Sequence, residues 1–206
     1  MLHSSKIVYF ESCDNCGKTS LIEEVEKRLT QQGLRVSVVR QPGSTNLGKS
    51  IYELHHDYEN VQMNGFSRQL LHVAAHLQFY KEFRQEYDVV LFDRSFLSCM
   101  AYAHAYPSEE SARDFEVRAI FDLETYYLPS SLCPSLTVYL TNPPHTNDAN
   151  PKYEGYEKVR EAYSTLWKLP YLKAFLEKRP VYAVNNASGK MEASISTIMD
   201  LILKVV

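Results

Sequence analysis

The chain has 206 residues, of which 45% are hydrophobic and 23% are charged, and its formal net charge is −3. These values are typical of a soluble globular protein, and the length favours a single domain over residues 1–206. The charge balance argues against a nucleic-acid partner, and no apolar run reaches the roughly 20 residues that cross a membrane.

The N-terminus and the cysteines indicate the cellular compartment of the protein and the redox state of its thiols. Residues 1–6 lack the apolar core of a signal peptide, so we expect a cytoplasmic protein whose thiols stay reduced. Cys13 and Cys16 form a Cys-x-x-Cys pattern, which is typical of redox or zinc sites. The sequence has no second such pair to complete a zinc site. We interpret the two cysteines as small residues that fit a tight turn, with an inactivating disulfide as the alternative.

Short apolar segments alternate with helical patterns along the chain. The predicted strands are residues 6–10, 35–39, 89–92, 136–140 and 181–184. The predicted helices are residues 19–32, 65–86, 109–125, 156–168 and 193–205. Strands that alternate with helices indicate an α/β protein whose parallel sheet is covered on both faces.

The turn between the first strand and the first helix has the layout of a phosphate-binding loop. Backbone N–H groups of such a turn bind a polyphosphate, and the helix N-terminus adds partial positive charge. Lys18 is expected to reach the β- and γ-phosphates of ATP, and the Thr19 hydroxyl to bind Mg²⁺. The residues assigned to this loop are Ser12, Cys13, Asn15, Cys16, Gly17, Lys18, Thr19 and Ser20. Ser12 replaces the first glycine of the usual pattern, and a chance Gly-Lys-Thr in an ordinary loop is the alternative.

Two more polar segments follow predicted strands. Residues 40–45 follow the second strand, and Asp93 and Arg94 follow the third. Ligands of an open parallel sheet bind at the carboxyl ends of its strands, so these segments and the phosphate loop should converge. Asp93 is expected to hold Mg²⁺ through water, and Arg94 to clamp a phosphate with its planar fork. A surface ion pair between the two is the alternative.

In this order, the segments resemble the thymidylate kinase family of nucleoside monophosphate kinases. The matching stretches read FESCDNCGKT at residues 10–19, RQPGST at 40–45, LLHVAAH at 70–76 and DRSFLSCMAYA at 93–103. The resemblance covers nearly the whole chain. It implies a P-loop NTPase-type sheet of five parallel strands with helices on both faces, ATP and Mg²⁺ as cofactors, and a homodimer.

The resemblance also implies a reaction, the transfer of the γ-phosphoryl group of ATP to dTMP or a related pyrimidine deoxynucleoside monophosphate. Asp14 matches a carboxylate that contacts the sugar 3′-hydroxyl, and Tyr102 matches a tyrosine beneath the sugar. Arg40 is expected to bind the acceptor phosphate, on a turn that Pro42 fixes. Asn186 stands where the family has an aspartate before its last helix, and we assign it to nucleotide binding. The alternatives are structural roles in turns and core packing.

The chain departs from the family in the base pocket. The base-stacking phenylalanine is His72 here and the base-bonding arginine is His76, while Ser98 is retained. A histidine nitrogen donates or accepts according to the tautomer. Two hypotheses stay open: a pocket that still accepts dTMP, or a changed base, such as that of dUMP or of a 5-substituted pyrimidine, or a broad set of bases. A metal site at the two histidines ranks last, because no third ligand is evident.

The second departure lies in the lid, residues 142–155, where the catalytic arginine of the family is missing. The sequence has no arginine between Arg118 and Arg160. We expect Lys152 to supply this positive charge, with Arg160 as the alternative.

Two other functions compete with the monophosphate kinase. One is a deoxynucleoside kinase, which phosphorylates the free nucleoside, and the other is a catalytically inactive nucleotide-binding regulator.

Overall fold

The computed structural model describes residues 5–56, 63–143 and 155–206. Among these residues, five strands form one sheet: β1 (Lys6–Glu11), β2 (Val36–Arg40), β3 (Val89–Asp93), β4 (Leu136–Leu140) and β5 (Val181–Val184). Their order across the sheet is β2-β3-β1-β4-β5, and every neighbouring pair is parallel. The predicted five-stranded parallel sheet is confirmed.

The described part of the chain also forms eight α-helices. They are α1 (Lys18–Gln31), α2 (Asn46–His56), α3 (Gly65–Glu82), α4 (Phe96–Ala105), α5 (Arg113–Tyr127), α6 (Tyr156–Leu166), α7 (Pro170–Leu176) and α8 (Met191–Leu203). None of the helices in these ranges is long and apolar enough to cross a bilayer.

The sheet separates two hydrophobic clusters, because successive side chains of a strand point to opposite faces. On one face, Val8 and Phe10 of β1 pack with apolar side chains of α1 and α8. On the other face, Ile7 and Tyr9 pack with the cluster that α3 to α7 supply. Helices therefore cover both faces, as the alternation of elements predicts.

The predicted strands agree with the observed ones to within one residue. The predicted helix at 65–86 ends earlier, at Glu82, because Phe83 is extended with φ −59° and ψ 136°. Helices α2, α4 and α7 are not among the predicted helices. Helix α4 has seven buried residues out of ten, so it lacks the amphipathic pattern by which a surface helix is recognised.

Candidate active site

The turn after β1 is shaped to bind an anion. Asn15 and Gly17 have φ values of 60° and 74°, in the left-handed region that asparagine and glycine tolerate best. Backbone N–H groups converge in such turns and form an anion-binding concavity. Gly17 is also the residue before α1, and no described side chain caps the helix there. The first N–H groups of α1 therefore remain for a ligand.

Ser12 fits this turn without backbone strain. Among the non-glycine residues that the structure describes, only Asn15 and Arg94 have positive φ, so Ser12 needs no glycine-like conformation. Its side chain is fully buried, and its Oγ donates a hydrogen bond to the carbonyl oxygen of Cys13 at 2.7 Å. The replacement of glycine by serine is therefore compatible with an intact phosphate loop.

The two thiols of the loop are buried. Burial raises the pKa of the Cys13 thiol to about 12 and that of Cys16 to about 11. The Cys13 thiol donates to the carbonyl oxygen of Tyr156 at 3.7 Å, and the Cys16 thiol to that of Asn142 at 3.3 Å. Because the thiolate is the form that reacts in disulfide exchange, the raised pKa values favour a packing role in the turn.

Asn186 lies against the same loop from the end of β5. Its Nδ2 donates to the carbonyl oxygen of Cys16 at 3.3 Å, and Asn142 Nδ2 donates to the same oxygen at 3.3 Å. The backbone N–H of Asn186 in turn donates to Asn142 Oδ1 at 3.2 Å. Two asparagines at the ends of neighbouring strands thus hold the phosphate loop in place. One of them, Asn186, is the residue that the sequence assigns to nucleotide binding.

Asp93 joins the phosphate loop to the end of β3. The ammonium group of Lys18 forms an ion pair with Asp93 Oδ1, and Thr19 Oγ1 donates to Asp93 Oδ2 at 3.2 Å. Burial lowers the pKa of Lys18, so an anionic partner is needed to hold its charge, whether Asp93 or a phosphate. A hydroxyl and a carboxylate are hard oxygen ligands, so Thr19 and Asp93 fit a bound Mg²⁺.

Arg94 connects the loop with the neighbouring α4. Its Nη1 donates to the carbonyl oxygen of Ser12 at 3.1 Å and to Ser98 Oγ at 3.2 Å. Its Nη2 donates to Asp14 Oδ1 at 2.5 Å, and the Tyr102 hydroxyl donates to Asp14 Oδ2 at 2.7 Å. Burial opposes the charge of Arg94, but Tyr102 and Asp14 outweigh it and raise the pKa above the usual value. The guanidinium therefore stays cationic at this position.

The fully buried carboxylate of Glu11 accepts hydrogen bonds from residues that surround Arg94. Its Oε1 accepts hydrogen bonds from the backbone N–H and the Oγ of Ser95, at 2.8 and 2.6 Å. Its Oε2 accepts from Ser98 Oγ at 2.5 Å and from the Tyr163 hydroxyl at 2.8 Å. Glu11 thus ties the end of β1 to α4 and α6. No role is predicted for Glu11 from the sequence, although a carboxylate at the end of an apolar strand is a usable signal.

A cavity of about 930 Å³ opens beside these groups. Its volume lies in the range of small-molecule sites. The sequence-predicted residues among its walls are Cys13, Asp14, Asn15, Pro42, His72, His76, Arg94, Ser98 and Tyr102. Gly155, the last residue of the predicted lid, and Tyr156, which follows it, line the cavity as well. The structure therefore brings most of the predicted acceptor site together around one cavity.

The two predicted base-pocket histidines have different surroundings. His76 Nδ1 lies 2.6 Å from Oε1 of the buried Glu124. The His72 ring lies edge-on to that of His55, with centroids 4.9 Å apart. Burial, aided by His55 and His76, lowers the pKa of His72 to about 3, so its ring is neutral near pH 7. Within the described ranges, no group of three or more His, Cys, Asp or Glu side chains is placed to hold a metal ion.

The structure places three predicted residues neither in the cavity wall nor among the contacts of the phosphate loop described above. Arg40 donates to Glu23 Oε1 at 2.6 Å and lines a second cavity, of about 700 Å³, beside the edge strand β2. Ser20 is exposed on α1, and Lys152 lies outside the described residues, as does most of the predicted lid.

The structure adds cavity-lining residues that the sequence analysis does not assign. They include Gln41, His55, Arg68 and Lys158. Arg68 lies one turn before His72 on α3, and its i, i+4 spacing was the available signal. The other three give no comparable local pattern.

Comparison with known proteins agrees with this geometry. The family model for thymidylate kinase matches residues 10–198. A thymidylate kinase from Bacillus velezensis is 25% identical over 97% of this chain and 95% of its own length. One from Geobacillus thermodenitrificans is 30% identical over 74% of this chain and 63% of its own.

Solved thymidylate kinase structures share the fold. The enzyme from Candida albicans superposes with a TM-score of 0.73 at 15% identity, over 98% of this chain and 92% of that one. The enzyme from Ehrlichia chaffeensis gives a TM-score of 0.68 at 18% identity, over 98% of both chains. The family match, the relatives and the shared fold together show that this chain belongs to the thymidylate kinase family.

Proposed function

We propose that the protein phosphorylates dTMP with ATP, with the nucleotide acceptor bound in the 930 Å³ cavity and the ATP phosphates on the loop after β1. Membership of the thymidylate kinase family supports the reaction. The observation that carries the site assignment is the position of Arg94. Its guanidinium bonds the phosphate loop at Ser12 and Asp14 and also lines the acceptor cavity.

The donor side of the reaction falls to the phosphate loop. The inward N–H groups of the turn and the Lys18 ammonium would bind the β- and γ-phosphates, in place of the present partner Asp93. Thr19 and Asp93 would hold Mg²⁺, directly or through water. A metal ion held there would supply positive charge against the negative charge that develops during transfer. Asn186 keeps the loop in place through the carbonyl oxygen of Cys16.

The acceptor side falls to the residues that surround the cavity. Arg94 is a fixed cation with planar donors, which suits it to position a phosphate. Asp14 is held by Arg94 and by the Tyr102 hydroxyl, so its carboxylate is oriented for a sugar hydroxyl. Phosphoryl transfer asks little covalent chemistry of the protein, and alignment of the two phosphates is its main contribution.

The positive charge expected from the lid has two sources in this proposal. Lys152 is the residue within the lid itself, which lies outside the described residues. Lys158 lines the cavity, and its Nζ lies 5.8 Å from the ring centroid of Tyr106. Arg160, by contrast, is paired with Glu157 on the exposed side of α6. Lys152 therefore remains the first choice, with Lys158 of the cavity wall as the alternative.

We further propose a cytoplasmic homodimer of a single catalytic domain. Helix α5 exposes large apolar side chains, with Phe115 71% and Tyr126 81% exposed, and such groups are suited to a contact between copies. Their exposure gives the helix a surface that the core of one copy does not use.

A kinase assay across nucleosides and monophosphates with ATP and Mg²⁺ tests the function. We expect dTMP and ATP to give dTDP and ADP, measured by separation of the nucleotides, and thymidine to remain unphosphorylated. Lys18→Met should abolish transfer. Phosphorylation of thymidine but not of dTMP would establish a deoxynucleoside kinase. Nucleotide binding without any transfer would establish a regulator.

A further inference from the structure

A tyrosine of α6 takes part in the hydrogen bonds beside Arg94, although no role is predicted for it from the sequence. Tyr163 is fully buried, and its hydroxyl donates to Oε2 of Glu11 at 2.8 Å. The same hydroxyl oxygen lies 2.9 Å from Ser98 Oγ. Burial raises the pKa of the Tyr163 phenol well above its usual value, so the hydroxyl keeps the hydrogen that it donates. Helix α6, which follows the lid, thus contributes a donor to this network.

The bond from Tyr163 completes the set of donors around the Glu11 carboxylate. Its Oε1 accepts from the N–H and the Oγ of Ser95, and its Oε2 accepts from Ser98 Oγ and the Tyr163 hydroxyl. An ionised carboxylate has about four lone-pair sites, so the sites of Glu11 are all used. A buried carboxylate that is satisfied in this way needs no cation in direct contact with it.

Arg94 has two carboxylates near it, those of Asp14 and Glu11. Its Nη1 donates to Ser98 Oγ at 3.2 Å, and Ser98 Oγ donates its one hydrogen to Glu11 at 2.5 Å, so a single hydroxyl group joins the guanidinium to the buried carboxylate. Among the described residues, Arg94 forms its ion pair with Asp14, and Glu11 forms none. Burial lowers the pKa of Arg94, but neighbouring groups outweigh it, and the charge of Glu11 is among those that raise it. The guanidinium is therefore attracted to Glu11 without direct contact.

We propose that Tyr163 is a positioning residue for Arg94: its hydroxyl completes the hydrogen bonds of Glu11, so that the guanidinium stays with Asp14 at the acceptor cavity. Without this hydroxyl, Oε2 of Glu11 would lack a donor inside the protein, and Arg94, one hydroxyl group away, can supply it. A guanidinium drawn to Glu11 would no longer be aligned with an acceptor phosphate. The kinetic part of the inference rests on the proposed function, because it assumes that Arg94 positions this phosphate.

Tyr163→Phe gives the first test, because it removes the hydroxyl and keeps the ring that stacks on Trp167 with centroids 5.8 Å apart. We expect kcat/KM for dTMP to fall about 10-fold, as for the loss of one hydrogen bond to a charged group, while the KM for ATP changes less than about twofold. Tyr9→Phe is the matched control, since the Tyr9 hydroxyl is also buried but donates to the carbonyl oxygen of Leu132 at 3.0 Å. An equal loss in both variants would contradict the inference.

A double-mutant cycle separates positioning of Arg94 from general support of the fold. If Tyr163 acts through the guanidinium, Tyr163→Phe should lower kcat/KM for dTMP by less than about threefold in an Arg94→Lys background. The effects of the two substitutions would then be far from additive, as for residues of one hydrogen-bond network. A merely structural role would give the same loss in both backgrounds, and that result would contradict the inference.

The position of Arg94 can also be observed without any activity. In a crystal structure of Tyr163→Phe, we expect a guanidinium nitrogen within about 3.5 Å of Glu11 Oε2 and the contact with Asp14 lost. Ser98→Ala removes the other donor to Oε2 and should displace Arg94 in the same way. A guanidinium that keeps its contact with Asp14 in Tyr163→Phe would overturn the inference. If no monophosphate is phosphorylated, the proposed function fails, and the crystal structure still decides the role of Tyr163.

Discussion

The Nη2 of Arg94 donates to Oδ1 of Asp14 at 2.5 Å, across the ends of the adjacent parallel strands β1 and β3. Arg94 adopts φ 72°, a conformation that a bulky residue rarely takes. Its backbone N–H donates to the carbonyl oxygen of Phe10 at 3.1 Å, which helps to hold that conformation. A strained backbone at the meeting point of loop and cavity is typical of a functional residue.

Arg94→Lys should separate the charge of this residue from its geometry. Lysine keeps one positive charge, but it cannot reach Ser12, Asp14 and Ser98 together as the guanidinium does. We expect kcat/KM for dTMP to fall about 100-fold, in keeping with the loss of a preorganised cation at a phosphoryl-transfer site. Steady-state kinetics measure it.

The matched control for that variant is Arg118→Lys. Arg118 lies on α5, and its guanidinium is half exposed and paired with Asp122. The control should leave kcat/KM for dTMP within twofold of the unaltered enzyme, as surface changes do. If Arg94→Lys behaves like Arg118→Lys, Arg94 has no special part in binding the acceptor phosphate.

Glu11→Ala should destabilise the fold more than an ordinary surface change. It would leave the buried hydroxyls of Ser95, Ser98 and Tyr163 without their common acceptor. The expected loss is about 3 kcal/mol in the free energy of unfolding, measured by urea denaturation. Glu11→Gln keeps one carbonyl oxygen and should lose less. Glu86→Ala is the control, because Glu86 is exposed. If both variants lower the free energy of unfolding equally, the hydrogen bonds of Glu11 do not stabilise the fold.

The strands and the phosphate loop are readable from sequence because their signals are local. The apolar run before Ser12 lies within a few residues of the Gly17-Lys18-Thr19 triplet, and the polar ends of two further strands directly follow the apolar runs that mark those strands. Parallel pairing then forces these ends together, since Phe10 lies opposite Asp93 in the sheet. Local pattern and sheet geometry were enough to place Lys18, Thr19 and Asp93 in one cluster.

The partners of the base pocket are not readable in this way, because they depend on helix packing. Glu124 is 48 positions away from His76, and only the packing of α5 against α3 brings them into contact. The same holds for His55 and His72, which belong to different helices. For Arg40 the motif position predicts a ligand contact, which stays a prediction, and the pairing of its side chain with Glu23 on α1 is a further contact that the motif does not predict.

The lowered pKa of His72 predicts a dependence of stability on pH. Its folded-state pKa is about 3, well below the usual value for an unfolded chain, so the unfolded state binds more protons between the two values. This contribution to stability is present near pH 7 and is lost as the pH falls toward 3. His72→Phe should reduce the loss between pH 7 and pH 5 by about 2 kcal/mol, measured by urea denaturation. Parallel pH profiles for both proteins would contradict a neutral, buried His72.

Lys152→Ala should lower kcat about 10- to 100-fold and change the KM for ATP by less than threefold. The reason is that a cation which meets the charge of the transition state contributes little to the ground state. Lys158→Ala is the matched variant, because it removes the same charge from the described wall of the cavity. If Lys158→Ala lowers kcat and Lys152→Ala does not, the positive charge at the transition state comes from Lys158 on α6. Unchanged kcat in both variants would mean that neither lysine replaces the missing arginine.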